Sequence, residues 1–145
     1  MKIRRAEPGD LAQIVEIEGL CFPEETAFSP GMFAYLIRYS EALVAIDAGK
    51  IAGFIMGYNS GSGGAVYTLD VHPIYRNRGI GSMLLEALEE VLHSKGARTI
   101  RLEAALEKPE VVRLYQLAGY KEREIIKNYY GQGRHAVRMW KILES

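Results

Sequence analysis

The stretch from residue 72 to residue 82 constrains the fold of this chain more than any other part of the sequence. It reads HPIYRNRGIGS and joins an apolar, strand-like run at residues 65–71 to a long helical pattern. Its glycines, Gly79 and Gly81, let the backbone approach a ligand closely. A helix N-terminus presents unpaired N–H groups and the positive end of the helix dipole. The stretch therefore predicts a phosphate-binding cradle, to which its two arginines add charge-assisted contacts.

The overall totals restrict the class of protein. The chain has 145 residues, of which 48% are hydrophobic and 25% charged, as in an ordinary globular protein. A chain of this length is expected to form one domain, residues 1–145, with a sizeable core. Basic and acidic residues both number 18. This balance gives no reason to expect a nucleic acid or a membrane as partner.

The single cysteine, Cys21, excludes an intramolecular disulfide and fits a reducing cytosol, which predicts a cytoplasmic location. Cys21 is interpreted as a small buried residue at a helix end, with a nucleophile as the alternative. The three histidines are scattered without the spacing of a zinc site, so no metal is expected. No apolar run approaches the roughly 20 residues that span a bilayer, and we expect no signal peptide.

Hydrophobic periodicity predicts the order β-α-α-β-β-β-α-β-α-β-β. We therefore expect an α/β (α+β) fold, a mixed central sheet of about seven strands flanked by four helices. Ser29 and Pro30 mark the start of the second helix, with serine as N-cap and proline at the first helical position. The residues assigned to one face of that helix are Met32, Tyr35, Leu36 and Tyr39.

The pattern Arg-x-x-Gly-x-Gly at residues 76–81 resembles the acetyl-CoA signature of GCN5-related N-acetyltransferases. In that family the consensus is Gln/Arg-x-x-Gly-x-Gly/Ala, between the fourth strand and the third helix. The predicted element order is similar to the GCN5-related fold across essentially the whole chain. From the hexapeptide alone, the alternative is a glycine-containing turn with solvated arginines.

The resemblance implies acetyl-CoA as co-substrate and a set of residues that bind it. Backbone groups of the strand that enters the signature bind the pantetheine and hold the acetyl carbonyl, and they map to Leu69, Asp70 and Val71. The pyrophosphate would be held by Arg76, Asn77, Arg78, Gly79, Ile80, Gly81 and Ser82.

Four later motifs are Arg101-Leu102-Glu103-Ala104, Leu114-Tyr115, Gly119-Tyr120 and Lys127-Asn128-Tyr129-Tyr130-Gly131. They resemble the motifs Leu-Glu-Val, Leu-Tyr, Gly-Phe and Asn-Tyr-Tyr of RimI-type protein N-terminal acetyltransferases, which acetylate the α-amino group of proteins such as ribosomal subunits. The resemblance implies that Glu103 is the proton acceptor and Tyr115 the proton donor. It also implies that Tyr129 and Tyr130 line the groove for the acceptor peptide.

Acetyl transfer to an amine needs such groups, because the amine loses a proton and the departing thiolate benefits from an acid. Glu103 lies near the C-terminal end of a predicted strand, where ligands bind in α/β sheets. Tyr115 lies about 9 Å along the next helix. From the residues alone, Glu103 as a solvated charge and Tyr115 as a core residue stay open. For the two loop tyrosines, an exposed turn stays open.

The sequence departs from the family pattern at Lys108, where the family has an asparagine that contacts CoA. A lysine there either meets a phosphate or points into solvent. Arg134 and His135 stand where similar proteins have two acids, which predicts an acceptor preference shifted towards acidic residues. Glu24 resembles a glutamate that faces the acceptor in archaeal relatives, and a solvated loop charge is the alternative.

The resulting prediction is an acetyl-CoA-dependent N-acetyltransferase that acts on the N-terminal α-amino group of proteins or peptides, such as a ribosomal protein. The mechanism would be direct attack in a ternary complex. One alternative is acetylation of a small-molecule amine, and another is a CoA-binding module without catalysis. The acceptor, the partner subunits and the choice between monomer and homodimer stay open.

Overall fold

A mixed β-sheet forms the centre of the fold. The computed structural model describes residues 1–143. The strands are β1 Lys2–Arg5, β2 Glu41–Asp47, β3 Lys50–Ser60, β4 Gly63–Val71, β5 Thr99–Ala105, β6 Lys121–Ile126 and β7 Ala136–Ile142. The α-helices are α1 Leu11–Cys21, α2 Pro30–Tyr39, α3 Ile80–Ser94 and α4 Pro109–Leu117. This order confirms the one predicted from hydrophobic periodicity.

The sheet is open between two of its central strands. The strand order is β1-β2-β3-β4-β5-β7-β6, and β4 and β5 are parallel, whereas the other neighbours are antiparallel. The parallel pairing joins only residues 63–65 to residues 99–101. Within the described residues, the C-terminal halves of β4 and β5 are therefore unpaired with each other, and a cleft opens between them.

A β-bulge in β4 accompanies this separation. Met56 pairs with Thr68 and Gly57 with Val66, so Tyr67 is one residue too many for the β3–β4 ladder. A bulge bends its strand and increases the local twist. The bulge lies just after the last β4 residue that pairs with β5, where it turns β4 away from its parallel neighbour.

The helices cover both faces of the sheet. Helices α3 and α4 pack on one face, where Leu84, Leu88 and Leu92 are fully buried. Helices α1 and α2 pack on the other, around Phe33 and Phe54, whose rings meet edge to face at 5.5 Å. Within the described part of the chain, no helix is long and apolar enough to cross a membrane.

The start of α2 follows the sequence prediction, but its packing does not. Ser29 Oγ accepts a hydrogen bond from Met32 N at 3.1 Å, which confirms the N-cap. The buried residues of α2 are Phe33, Leu36 and Ile37, and the exposed ones include Met32, Tyr35 and Tyr39. The assigned face is wrong apart from Leu36, because this helix has apolar residues on two sides and only the sheet determines which side is covered.

Candidate active site

The cleft between β4 and β5 is the mouth of a cavity of about 550 Å³. Its walls come from β4, β5, the stretch before α3, the start of α4, the end of α1 and Tyr130. The cavity brings together most of the residues selected from the sequence: Leu69, Asp70, Val71, Arg76, Asn77, Gly79, Ile80, Gly81, Ser82, Glu103, Lys108, Tyr115 and Tyr130. Glu24, Arg78 and Tyr129 are not among its lining residues.

The turn before α3 presents backbone N–H groups to this cavity. Asn77 and Gly79 have φ angles of 64° and 77°, in the left-handed region. The first hydrogen bond of α3 runs from Met83 N to Gly79 O at 3.0 Å. The turn and cap hydrogen bonds of the described residues include none from the N–H groups of residues 77–82. These amides are therefore free to bind an anion.

The second glycine of the turn allows close packing of α3 on the site. A Cβ atom on Gly81 would lie 3.0 Å from Leu114 Cδ1, on α4, and 3.8 Å from Val71 Cγ2, on β4. Side chains do not normally approach so closely without displacement. Glycine at this position therefore keeps the first turn of α3 against both walls of the cleft.

The side chains of Arg76 and Arg78 point away from the free amides of residues 77–82. Arg76 Nε donates to Val71 O at 3.3 Å, and its Nη2 lies 3.4 Å from Cys21 Sγ. The Arg78 guanidinium lies over the Tyr75 ring, 5.5 Å from its centroid. The amides of residues 77–82 are the groups left free for an anion, and the predicted contacts from Arg76 and Arg78 to a pyrophosphate would require both side chains to turn.

The backbone of β4 faces the cleft at alternate residues. His72 N donates to Ala52 O at 2.8 Å, which directs the peptide groups of His72, and two residues earlier those of Asp70, towards β3. The N–H and C=O groups of Leu69 and Val71 consequently point to the open side. The backbone groups that face the cleft are thus those of Leu69 and Val71, whereas Asp70 belongs to the cavity wall with its backbone turned towards β3.

Glu103 lies in β5 and is held by residues of β7 and of the loop between β6 and β7. Its Oε2 accepts a hydrogen bond from Arg138 Nε at 2.8 Å and lies 3.6 Å from Arg101 Nε. The Tyr129 hydroxyl donates to Oε1 at 3.2 Å, and the Tyr130 hydroxyl donates to the Glu103 carbonyl oxygen at 3.3 Å. The carboxylate is thus fixed by ionic and neutral hydrogen bonds at the cavity wall.

Tyr115 combines a buried ring with an unpaired hydroxyl. The side chain is 5% exposed, and its ring packs edge to face on Tyr120 with 5.9 Å between centroids. The hydroxyl makes no hydrogen bond with another residue of the range 1–143, and it is not among the polar atoms that are fully buried without a partner. Burial, followed by the neighbouring Tyr130 and Asp70, raises the pKa of Tyr115 above its usual value. The hydroxyl therefore stays protonated.

Lys108 crosses the cavity mouth and does not point into solvent. Its Nζ donates to Cys21 O at 3.1 Å and lies 4.4 Å from the centroid of the Phe22 ring. The lysine thereby connects the loop after β5 to the end of α1. Its predicted contact with a phosphate would compete with these two interactions.

The loop between β6 and β7 is organised by its own hydrogen bonds. Arg134 Nη2 and Nε donate to Glu107 Oε1 at 2.8 and 3.0 Å, and His135 Nδ1 accepts from Asn128 N at 2.9 Å. The positive charge of Arg134 is consequently balanced by Glu107. This removes the main reason to expect a preference for acidic acceptors. Glu24 is exposed in the α1–α2 loop.

A pair of buried carboxyl groups in the cavity wall was missed by the sequence analysis. Glu18, on α1, is 3% exposed and Asp70 is 1% exposed. Glu18 follows Ile14 by one helical turn, so a charged residue on the apolar side of α1 was the available signal. Among the described residues, no group of three or more His, Cys, Asp or Glu side chains is placed to hold a metal ion.

A mixed sheet that opens between β4 and β5, with free amides at the start of α3, is the fold of the GCN5-related acetyltransferases. This chain belongs to the acetyltransferase (GNAT) family, whose model matches residues 11–120. Acetyltransferase SG1711 of Sodalis glossinidius (strain morsitans) is 38% identical to it over 84 residues, 58% of this chain and 59% of that relative. The match therefore spans less than two thirds of the relative's length.

Two solved structures extend the comparison over nearly the whole chain. The ribosomal-protein-S18-alanine N-acetyltransferase from Escherichia coli is 26% identical, with a TM-score of 0.88, over 99% of this chain and 94% of its own. Aminoglycoside 6′-acetyltransferase type Ii is 25% identical, with a TM-score of 0.85, over 100% of this chain and 99% of its own. The similar structures thus include one named for a protein acceptor and one for a small-molecule acceptor.

Proposed function

We propose that this protein transfers an acetyl group from acetyl-CoA to the N-terminal α-amino group of a protein or peptide, by direct attack in a ternary complex. The observation that carries the proposal is one cavity that is lined by Asn77 and residues 79–82 with their free amides, by Glu103 and by Tyr115. These are an anion cradle, a proton acceptor and a proton donor. Similarity to the S18-alanine acetyltransferase supports the acceptor class.

The cradle residues fit the diphosphate of acetyl-CoA, which supplies an activated acetyl thioester when bound. The amides of residues 77–82 would accept the phosphate oxygens at the positive end of α3. The outward-facing N–H and C=O groups of Leu69 and the N–H group of Val71 would bind the amides of the pantetheine as a neighbouring strand would, whereas the Val71 carbonyl already accepts from Arg76 and Cys21. This arrangement would aim the thioester along the cleft, towards β5.

Glu103 would take the proton that the acceptor amine loses, either directly or through a water. Its position is fixed by Arg138 at 2.8 Å and Tyr129 at 3.2 Å. A fixed base shortens the search for a productive geometry. Tyr129 belongs to the β6–β7 loop, which is proposed to hold the acceptor. Its hydrogen bond therefore connects that loop to the proposed base.

Tyr115 would donate to the sulfur as it leaves. A hydroxyl with a raised pKa retains its proton until negative charge develops nearby, and then stabilises that charge by a hydrogen bond. Because no other described residue accepts from this hydroxyl, the hydrogen bond costs no exchange of partners. The ring contact with Tyr120 holds the hydroxyl in place.

Direct transfer is favoured by the state of the only thiol in the chain. Cys21 Sγ donates to Val71 O at 3.5 Å. Burial, followed by Asp70, raises the pKa of the Cys21 thiol. A protonated thiol is a poor nucleophile, so Cys21 is unsuited to carry the acetyl group. One unpaired cysteine also fits the reducing environment of the proposed cytoplasmic location.

The α-amine is the proposed acceptor partly because of its acidity. A protein α-amino group has a pKa near ~7.8 and a lysine side chain near ~10.4, so removing the proton at pH 7 costs about 3.5 kcal/mol more for lysine. Acetylation of a small-molecule amine is the second candidate. One observation favours it, the 25% identity to the aminoglycoside 6′-acetyltransferase over the whole chain.

The test is a mass-spectrometric screen with acetyl-CoA. One panel contains peptides with a free N-terminus, the matched control panel contains the same peptides with a blocked N-terminus and an internal lysine, and a third contains polyamines, amino acids and aminoglycosides. Acetylation confined to free N-termini is expected. Acetylation of the third panel alone would replace the proposal by the second candidate, and calorimetric binding of acetyl-CoA without any transfer would favour a non-catalytic module.

A further inference from the structure

Glu18 on α1 and Asp70 on β4 are buried where these two elements pack together. Glu18 Oε2 accepts a hydrogen bond from Phe28 N at 2.8 Å, and Asp70 Oδ1 accepts one from Thr68 Oγ1 at 2.8 Å. The other two oxygens, Glu18 Oε1 and Asp70 Oδ2, are buried and have no hydrogen-bond partner among residues 1–143. Both residues line the same cavity where α1 packs on β4, and Glu18 is close enough to raise the pKa of Asp70.

Two ionised carboxylates in such a contact would repel each other in a poorly solvated place. A proton held between Glu18 Oε1 and Asp70 Oδ2 would form a hydrogen bond that involves both unpartnered oxygens, and would leave the pair with one negative charge. We propose that Glu18 and Asp70 share one proton and are positioning residues for the acceptor side of the cavity, because the protonated pair fixes the α1–α2 loop. The role for acceptor binding rests on the proposed function.

The pair reaches the loop through one backbone contact. Phe28, whose N–H donates to Glu18, lies in the loop of residues 22–29 between α1 and α2. Phe22, Thr26 and Phe28 of this loop line the cavity. Glu18 therefore connects β4, through the shared proton, to a wall of the cavity. Loss of that proton would separate α1 from β4 and shift this wall.

The charged and titratable groups around the pair come from every neighbouring segment. Cys21 lies one turn further along α1, Lys108 approaches from the loop after β5, and Tyr115 faces Asp70 from α4. Arg76 reaches Cys21 from the stretch before α3. Burial first, and then Glu18, raise the pKa of Asp70 well above its usual value, whereas Thr68 and Lys108 oppose the rise.

The sign of the pH effect follows from this direction. A carboxyl group whose pKa is higher in the folded than in the unfolded protein stabilises the fold fully below its unfolded pKa. That contribution is lost as the pH rises through the folded value. The proton-mediated bridge between Glu18 and Asp70 is therefore expected to break at alkaline pH, and the α1–α2 loop is expected to shift with it.

The first test needs no enzymatic activity. Carboxyl resonances of ¹³C-labelled aspartate and glutamate in the full chain, with Asp70→Asn for assignment, report whether Asp70 is protonated near neutral pH. We expect Asp70 to titrate well above the usual aspartate range, and the amide resonance of Phe28 to change with the same midpoint. Titration of Asp70 in the usual range, or a Phe28 amide that does not follow it, would overturn the inference.

The second test is kinetic. In Asp70→Asn the new amide can donate to Glu18 Oε1 and accept from Thr68, so the bridge persists without an ionisable proton. For wild type, KM for the acceptor is expected to rise about 10-fold per pH unit above the midpoint seen by NMR. Asp70→Asn should show no such rise, and the difference should lie in the acceptor KM and not in kcat.

Two further variants keep the kinetic test decisive. Glu18→Gln can donate to Asp70 Oδ2 and accept from Phe28 N, and it should also remove the alkaline rise. Asp10→Asn is the matched control, a buried aspartate before α1 that is paired with Arg4 and outside the cavity, and it should keep the rise. An unchanged alkaline rise in Asp70→Asn or Glu18→Gln would overturn the inference. Absence of acetyl transfer would affect only the proposed function, because the NMR result stands alone.

Discussion

Arg138 Nε lies 2.8 Å from Glu103 Oε2, and the two residues are direct partners in the antiparallel pairing of β5 and β7. Another nitrogen of the same guanidinium, Nη1, lies 3.3 Å from Glu124 Oε1 on β6. One arginine thus joins three strands at the wall of the cavity. Regular strand pairing therefore positions the proposed base, and the tyrosines of the β6–β7 loop add to it.

Glu103→Gln is expected to lower kcat by about 10²-fold or more, because general-base contributions are of this size. The fold should persist, since the amide oxygen can still accept from Arg138. Glu124→Gln is the matched control, because it changes an exposed carboxylate on the same guanidinium. Steady-state kinetics over a range of pH separates them. Equal rates and superimposable pH–rate profiles in Glu103→Gln and wild type would end the assignment of the base.

Tyr115→Phe should reduce kcat by about 10²-fold while leaving the melting temperature near that of wild type. The ring keeps its packing on Tyr120, and no hydrogen bond of the described residues is lost with the hydroxyl. Tyr120→Phe is the contrasting variant, because the Tyr120 hydroxyl donates to Glu89 Oε2 at 2.8 Å. It should cost about 1 kcal/mol of stability with little change in kcat. The reverse pattern would make Tyr115 a core residue only.

Gly79→Ala is expected to weaken acetyl-CoA binding by about 10-fold, since a left-handed backbone costs about 1–2 kcal/mol for a residue with a Cβ. Calorimetry measures this change. The matched control is Gly61→Ala, in the β3–β4 turn, where φ is 61° and, as at Gly79, a new Cβ would meet no atom within 4 Å. Both variants should lose similar stability. If Gly61→Ala weakened binding equally, the cradle would have no special part in it.

Asp10 predicts a separate, acidic limit of stability. Arg4 Nη1 and Nη2 donate to its two carboxylate oxygens at 2.8 and 3.0 Å, and Arg4 lowers the pKa of Asp10 despite its burial. A lowered folded pKa stabilises the protein above the unfolded pKa, near ~3.9, and this contribution is lost as the pH falls through the folded value.

Urea unfolding at a series of acidic pH values measures this contribution. Wild type should lose unfolding free energy steadily below about pH 4, whereas Asp10→Asn should begin less stable at neutral pH and change less on acidification. Parallel curves for the two proteins would show that the Arg4–Asp10 pair does not set the acidic limit.

Local patterns were sufficient for the element order and for the position of the glycine turn before α3. The run of strand, glycines and helix at residues 65–94 is contiguous in sequence, so periodicity and turn chemistry place it without knowledge of the rest. The cap at Ser29 is equally local. Glu103 and Tyr115 were selected by family resemblance, since a lone glutamate and a tyrosine on an apolar face carry no distinguishing local signal.

Long-range pairing explains what the sequence did not reveal. The contact between Glu103 and Arg138 requires the register of β5 with β7, and the contact between Glu18 and Asp70 requires α1 to lie across β4. Neither follows from spacing along the chain. Lys108 was assigned to a phosphate or to solvent because its actual partner, the Cys21 carbonyl, is 87 residues away.

The brief pairing of β4 with β5, limited to residues 63–65 and 99–101, has a mechanical consequence. The four strands before the cleft and the three after it therefore form two parts of the sheet, and only this short pairing joins them. A molecule that fills the gap, hydrogen-bonds to Leu69 and Val71 of β4 and also contacts β5 would connect the two parts of the sheet. Coenzyme binding should therefore stiffen the whole sheet, and slow amide exchange in β4 and β5 well beyond the atoms it touches.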